Sequence, residues 1–407
     1  MSDILIVGGG FAGTWAAAGA ARLLRAHDAA TTVTLLAPGP DLVIRPRLYE
    51  ADPAAYRVPL DRVLGPIGVQ RVAAAATGID TGRRTVTAEG ADGRTEHRYE
   101  RLVLATGSAL VRPRLPGAEL LHDVDTMAAA VALEEHLQAL PEAPEGPGRF
   151  TAVVVGAGFT GVEIAAELVG RLRAAAAPHG LADEVEVVLV ERDEVVGRGL
   201  GAPARPVIER ALDGLGVVRR LGVTVERVDQ RAVHLSDGST VPARTAVWTA
   251  GVRADGLTGQ IPAARDELGR LAVDEWLRVR GVPEVYAAGD TAAAPAEDGH
   301  TVTQSCQHAT PQGKYAGHNA AADLLGLDRE PFTTDPYVTC LDLGGAGAVL
   351  TSGWDRALRE VPAAYAKARK RAINETWIYP PVDDAEEILR RADFRVGQRR
   401  PAPEPTG

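Results

Sequence analysis

Apolar positions fall twice into the same order along this chain. Ile4–Val7 is a short β-branched and aliphatic run, the pattern of a strand buried on both faces, and an Ala-rich stretch to Leu24 continues it as a helix. Ala152–Val155 repeats that run, followed by a helix through Leu172 that extends into Ala174–Ala177. Thr31–Leu36 and Glu186–Val190 predict the second strand of each unit, so each reads as βαβ. Val103–Gly107 and Thr245–Gly251 resemble each other as apolar strands stopping on small residues, and Pro283–Asp290 is a further apolar strand ending in Gly289-Asp290. Between these, Gln70–Ala74 predicts a short strand, and Arg84–Val86 with Arg101–Leu104 predicts a small meander around a turn at 89–93. Residues 124–140 place Met127, Val131, Leu133 and Leu137 near a 3.6 period, and 141–148 is a Pro/Gly linker. A helix is predicted from Cys306 to about Leu325, strands within 337–350, and a basic helix over 362–373. An aromatic exit follows at Thr376–Pro381, and the last seven residues, PAPEPTG, read as disordered.

The turns after the two leading strands carry the chemistry. Gly8, Gly10 and Gly13 stand at G-x-G-x-x-G spacing around Phe11 and Ala12, and Gly156, Gly158 and Gly161 repeat it around Phe159 and Thr160. In strand–turn–helix context the first glycine allows the tight turn, the second lets a pyrophosphate touch the backbone, and the third lets helix pack on strand. The helix start then offers free N–H groups to the phosphates. Two such turns predict two dinucleotide sites. The second strand of a dinucleotide unit ordinarily ends on an acid that holds the adenosine ribose. In the second unit that acid is Glu191, which favours NADH over NADPH by repelling a 2′-phosphate, although Arg192 beside it is able to welcome one. In the first unit the position is Ala37, with Arg45 and Arg47 as candidate compensators. Glu163 and Glu167 share a helix face, and Glu163 lies in the first turns, where the dipole favours an anion. Asp290 places a carboxylate at a strand's C-terminal edge, where ligands bind in open α/β sheets.

Composition narrows the class. Net charge is −10 and the pI about 5.5, which argues against nucleic acid as a partner. Cys306 and Cys340 are too far apart in sequence for a C-x-x-C pair or a disulfide framework, so two reduced thiols and no metal are expected. No 18-residue apolar run and no basic leader are present, so neither a span nor a signal peptide is expected.

In this order the motifs resemble the two-dinucleotide-domain flavoprotein reductases, and among them type II NADH dehydrogenases (NADH:quinone oxidoreductases). The resemblance rests on Gly8–Gly13, Ala105–Gly107, Gly156–Glu163, Glu191, Thr249–Gly251, Ala288–Asp290 and Gln307–Gly313, with Lys370–Asn374 and Ile378–Pro381 beyond. It implies an α/β fold of two Rossmann-like domains and a small carboxy-terminal α+β region. FAD would occupy a discontinuous domain at 1–117 and 258–335, NADH the domain at 118–257, and 336–407 would follow as the carboxy-terminal region. It also implies FAD contacts from Arg47, Val72, Ala105, Thr106, Gly107, Gly289, Asp290, Gln307, His308 and Ala309, and NADH contacts from Ala250 and Gly251. Glu163 would lie near the nicotinamide–flavin contact. Ile44–Glu50 looks like the segment passing the flavin in quinone reductases, and it lacks the two cysteines that disulfide reductases carry there.

Three departures from the family pattern stand out: Ala37 for the ribose acid, Cys306 and Pro311 for an alanine and a glutamine, and residues 355–395 less apolar than in membrane-bound members. Glu163, His308 and Tyr49 are the candidate proton-relay residues. The expected activity is hydride uptake from NADH and electron transfer to a quinone-like small molecule. Alternatives are a carrier protein or a specialised-pathway small molecule as acceptor, or an NADH/FAD redox sensor without turnover. The protein is expected in the cytoplasm, as a candidate homodimer, with at most peripheral contact at the inner face of the membrane through residues 362–380.

Overall fold

The computed structural model describes residues 2–397, so the sequence expectation for the PAPEPTG tail lies outside the described residues. Strand Ser2–Val7 lies at the centre of a parallel sheet, with Val33–Leu36 on one side and the end of a long strand, Gly93–Leu104, on the other. Gln70–Val72 and Val285–Ala287 extend this sheet at its two sides. Ile4, Leu5, Ile6, Leu35 and Leu102–Leu104 have no exposed surface, as expected of strands covered on both faces. Helices Phe11–Ala26 and Cys306–Leu325 cross so closely that their backbones touch. A Cβ added to Gly313 or Gly317 would overlap the carbonyl oxygen of Ala12 or Ala16, and one on Gly19 would overlap that of Lys314.

The second unit repeats the plan. Strand Thr151–Val155 lies between Glu186–Glu191 and Thr245–Trp248, with Val217–Leu221 at the edge, all parallel. Helix Phe159–Ala176 follows its glycine turn. Chain exit and return between the units pair as Ser108–Leu110 with Val252–Ala254, antiparallel.

The meander around the predicted turn is larger than expected. Ala74–Asp80, Thr85–Gly90 and the first half of Gly93–Leu104 form it, whereas Gln70–Ala74 was expected as a single short strand. The Ala-rich run through Gly78 shows no period-2 alternation and bends the ladder between Ala76 and Gly78, which hides a strand from pattern reading.

The carboxy-terminal region is a three-stranded antiparallel sheet, Val338–Asp342, Ala348–Ser352 and Ala357–Leu358, followed by helix Ala363–Ala372, a π-turn at Ile373–Trp377 and helix Ala385–Ala392. The basic helix packs one side against its own protein, with Ala366 and Lys370 buried. Lys370 is buried, and Lys367 and Lys370 both turn inward onto carboxylates, so the protein's own interior takes up this charge. Among the described residues no helix is long and apolar enough to cross a membrane.

Candidate active site and its cofactor cradles

Both glycine turns are shaped to admit phosphates. Gly8 and Gly156 adopt φ of +116° and +102°, backbone that a side chain would strain. A Cβ on Gly10 or Gly158 would meet nothing within 4 Å, which leaves open space directly over each turn. A Cβ on Gly13 or Gly161 would overlap the carbonyl oxygen of Gly8 or Gly156, so helix and strand close up only with glycine there. The helix caps Gly10 and Gly158 offer no side-chain acceptor, which leaves the N–H groups of the first turns for a ligand.

Around the first cradle, the strand end Ala105–Gly107 contains Thr106, whose buried Oγ1 has no partner. Asp290 is held in place: Ser108 Oγ donates to its Oδ2 at 2.6 Å, Arg45 lies 3.6 Å away, and Gln304 Nε2 donates to its carbonyl at 3.2 Å. Gly289 N donates to the buried Gln312 Oε1 at 3.0 Å, a contact that fixes the strand end to the helix Cys306–Leu325. An open glycine turn, an unpartnered hydroxyl and an oriented carboxylate fit a dinucleotide. The exception is Ala37, which is 2% exposed and donates its N–H to the Val72 carbonyl at 3.1 Å. Arg45 and Arg47, the candidate compensators, both face carboxylates. Arg45 pairs with Asp125 and Ser108, and Arg47 with Glu50 at 2.7 Å and the Tyr379 hydroxyl at 3.1 Å. Carboxylates already neutralise both guanidiniums, so they offer no free charge to a ribose or an acidic substrate.

In the second cradle Glu191 reaches back over the turn. Its Oε2 accepts from Ala157 N at 2.7 Å and its Oε1 from Asp193 N at 3.1 Å. The carboxylate is therefore oriented beside the glycine loop without any ligand. Thr249 Oγ1 donates to the carbonyls of Val155 and Gly156, setting Ala250 against the loop, while Gly251 lies beside Val111.

His308 opens the helix Cys306–Leu325 behind the N-cap Ser305 and is 1% exposed. Its Nδ1 lies 3.1 Å from the Thr303 carbonyl, which can only accept, so the ring proton belongs on Nδ1. Nε2 is then a bare acceptor, buried and without a partner. The ring packs against Tyr337 at 5.0 Å and lies nearly parallel to Trp354 at 6.0 Å. Burial lowers its pKa from 6.5 to about 4, so the imidazole is neutral. The stability from this neutral ring is fully present above the ordinary histidine value and is lost as pH falls through the lowered one. His308→Asn is expected to flatten that acid limb in thermal melts from about pH 7 to about pH 4; a limb of unchanged steepness would assign it elsewhere.

Glu163 and Tyr49 meet in a buried polar cluster that joins all three parts of the chain. Lys370 Nζ donates to Glu163 Oε1 at 2.8 Å, and Asp342 N donates to the same oxygen at 3.0 Å. Asp342 Oδ1 accepts from Lys367, and its Oδ2 accepts from the Tyr49 hydroxyl at 3.1 Å. Asn374 Nδ2 donates to Tyr49 at 3.2 Å and to Glu50 at 2.7 Å, which returns the chain of contacts to Arg47. Three carboxylates, Glu163, Asp342 and Glu50, balance the cations Lys370, Lys367 and Arg47. Burial pushes the Glu163 carboxyl up, and Lys370 with the Asp342 N–H pulls it partly back. Burial works hardest against the Lys370 charge, but the Glu163 charge and hydrogen bond, helped by Cys340 and Asp342, together outweigh it and hold the ammonium protonated. Tyr49 is driven far above the ordinary phenol range by burial and neighbouring carboxylates, so it stays protonated and donates. Glu167, four residues along the same face, is half-buried and also raised by burial, with Arg171 opposing.

Sequence reading singled out Glu163 and Tyr49 but not Asp342, Lys367 or the way Lys370 and Asn374 complete them. Two of the chain's three lysines lie three residues apart, at 367 and 370, and that spacing was the available signal. Cys306 and Cys340 are free thiols, each held protonated by burial, with pKa values raised to about 11 and about 12.

Two glycine cradles on two parallel sheets, with a buried ion-pair cluster between them, define a two-dinucleotide oxidoreductase. Residues 2–313 match the pyridine nucleotide-disulphide oxidoreductase family, and the chain belongs to it. It is 49% identical over 405 residues to an NADH dehydrogenase-like protein of Mycobacterium tuberculosis, covering 98% of this chain and 100% of that one. A demethylphylloquinone reductase of Synechocystis is 26% identical over 361 residues, covering 86% of each chain. NDH2 of Plasmodium falciparum, solved with NADH, superposes with a TM-score of 0.77 over 97% of both chains at 12% identity. FAD and NAD(H) are the cofactors, and the protein is an NAD(P)H-dependent flavoprotein oxidoreductase.

Proposed function

We propose that the protein is an NADH:quinone-type oxidoreductase, with residues 1–117 and 258–335 holding FAD and residues 118–257 holding NADH. The observation that carries this reading is the buried cluster Glu163–Lys370–Asp342–Tyr49, which ties the NADH helix to the Ile44–Glu50 segment and the carboxy-terminal region. Reduction of a quinone to a hydroquinone by NADH consumes one proton besides the hydride. The cluster holds an ammonium and a phenol, both protonated, against carboxylates that can be recharged. The names of the relatives, an NADH dehydrogenase-like protein and a quinone reductase, support the same reading.

When bound, FAD supplies the hydride acceptor and the electron donor for the second half-reaction. The chain's residues supply grip and alignment. On this reading Gly8, Gly10 and Phe11–Gly13 hold the FAD pyrophosphate, Val72 and Ala105–Gly107 line its course, and Gly289 and Asp290 hold its sugar-alcohol chain. Gln307, His308 and Ala309 border the ring, and the helix N–H groups beneath favour negative charge at its edge. Gly156, Gly158, Phe159–Gly161, Ala250 and Gly251 seat NADH, whose adenosine ribose falls to Glu191. The cytoplasm, with at most peripheral membrane contact, is part of this proposal.

Glu191→Gln is expected to raise the Michaelis constant for NADH about tenfold or more, because a charge-assisted pair of hydrogen bonds becomes a neutral one. An unchanged constant would remove Glu191 from the ribose. The acceptor is tested by reducing the purified yellow protein with NADH and adding acceptors in turn. Rapid recovery of colour with a short-chain naphthoquinone supports the reading. Recovery only with an iron–sulfur carrier protein, or no recovery with any acceptor, overturns it.

A further inference from the structure

One cation near the second cradle has no counterpart in the network described above. Arg356 lies in the turn Gly353–Arg356 between the last two strands of the carboxy-terminal sheet, at φ +59°, a conformation an arginine adopts only when its surroundings impose it. Its guanidinium lies 4.3 Å over the Tyr337 ring and 5.4 Å from the ring of Phe159, the residue that opens the helix after the second glycine turn. Its stem fills the space a Cβ would take on Gly201, in the loop that follows Glu191. That loop returns to the glycine turn: a Cβ on Gly197 would approach the Ala157 carbonyl to 2.9 Å. Three separate segments therefore converge to hold one guanidinium beside the Gly156–Gly161 cradle.

Its backbone N–H donates to the Gly353 carbonyl at 3.3 Å, but none of its guanidinium nitrogens donates to an acceptor among the described residues. Among the described residues no carboxylate pairs with Arg356, whereas Arg45, Arg47 and Arg171 each have one, and its Nη1 is enclosed without a partner. A planar cation fixed by two rings, strained in its backbone and lacking an anion is prepared for one that arrives. We propose that Arg356 is an NADH-positioning residue, supplied by the carboxy-terminal sheet, whose guanidinium takes the pyrophosphate of NADH as it settles on the Gly156–Gly161 turn. The inference rests on the reading of that turn as the NADH site. It gives the carboxy-terminal region a share in substrate binding that the glycine motif alone does not reveal.

The test uses the FAD-loaded full chain and ADP-ribose, which carries the pyrophosphate without the nicotinamide, titrated through the change in flavin absorbance. Arg356→Gln is expected to weaken ADP-ribose by about tenfold to hundredfold, the loss of a charge-assisted contact. It is also expected to reduce the slope of log Kd against log salt by about one, since one cation fewer meets the phosphates. Arg356→Lys keeps the charge without the stacking plane and is expected to recover part of the affinity. In rapid-mixing experiments the loss should appear in the NADH dissociation constant more than in the limiting rate of flavin reduction. An ADP-ribose affinity and salt slope for Arg356→Gln within about twofold of the unaltered protein's overturn the role of Arg356 and leave the NADH site standing. An unaltered protein that takes up neither ADP-ribose nor NADH overturns the reading of the site itself.

Discussion

Lys370→Met is expected to lower folding stability by about 3–5 kcal/mol, the usual consequence of leaving a buried charge without its partner. Glu163 is 8% exposed and Lys370 7%, so water cannot replace the lost ammonium. The carboxyl can only take up a proton, and its folded pKa rises above the already raised value. An acid whose folded pKa lies above its unfolded one contributes no penalty below the unfolded value and an increasing one as pH rises through the folded value. The stability gap between variant and parent is therefore expected to be smaller near pH 5 than near pH 8 in chemical denaturation, where both states are measured. Adding Glu163→Gln to Lys370→Met should recover most of the loss, because removing both charges is far less costly than removing one. A double variant as unstable as the single one would show that the pair is not coupled. NADH oxidation is expected to fall with the single variant, since Lys370 also orders Glu163 at the NADH helix.

The two glycine turns separate the cofactors by experiment. Gly161→Ala is expected to give a protein that stays yellow but no longer bleaches with NADH at concentrations that saturate the parent. Its new methyl would overlap the Gly156 carbonyl and come within 2.8 Å of Thr249 Oγ1, which forces the turn open. Overpacking of this kind costs about 1–3 kcal/mol locally, enough for a loss of about tenfold to hundredfold in affinity. Gly13→Ala sets the same overlap against Gly8 and is expected to give colourless protein, or protein that loses flavin on gel filtration. If both variants lost flavin, or both kept it and bleached normally, the assignment of one cofactor to each turn would fail.

Much of this arrangement was readable from residues alone because it is local. The fully apolar runs Ile4–Val7 and Ala152–Val155 have no polar face to offer solvent, and the glycine spacing is dictated by backbone overlap within six residues. The helix Cys306–Leu325 has the bounds its sequence predicts, and in the structure Ser305 caps its start and Gly326 follows its last turn. Asp342, by contrast, lies 179 positions from Glu163, and Asn374 lies 325 positions from Tyr49. No periodicity or spacing rule joins such residues; only the fold does. The inward turn of Lys370 was obscured for a similar reason, since Ala363–Ala372 reads as a basic surface helix until its partner carboxylates are in place. The partners of Arg45 and Arg47 were equally hidden, because an arginine's pairing is decided by whichever carboxylate the tertiary structure brings near.

The crossing of the two helices through Gly19, Gly313 and Gly317 has a mechanical consequence. One helix begins at the phosphate turn and the other begins at Cys306, beside the expected ring edge of the flavin, and the two are clamped main chain to main chain. With FAD placed as proposed, the span from pyrophosphate to ring would be gauged by this rigid fixture, and a flavin of another length would leave one end ungripped.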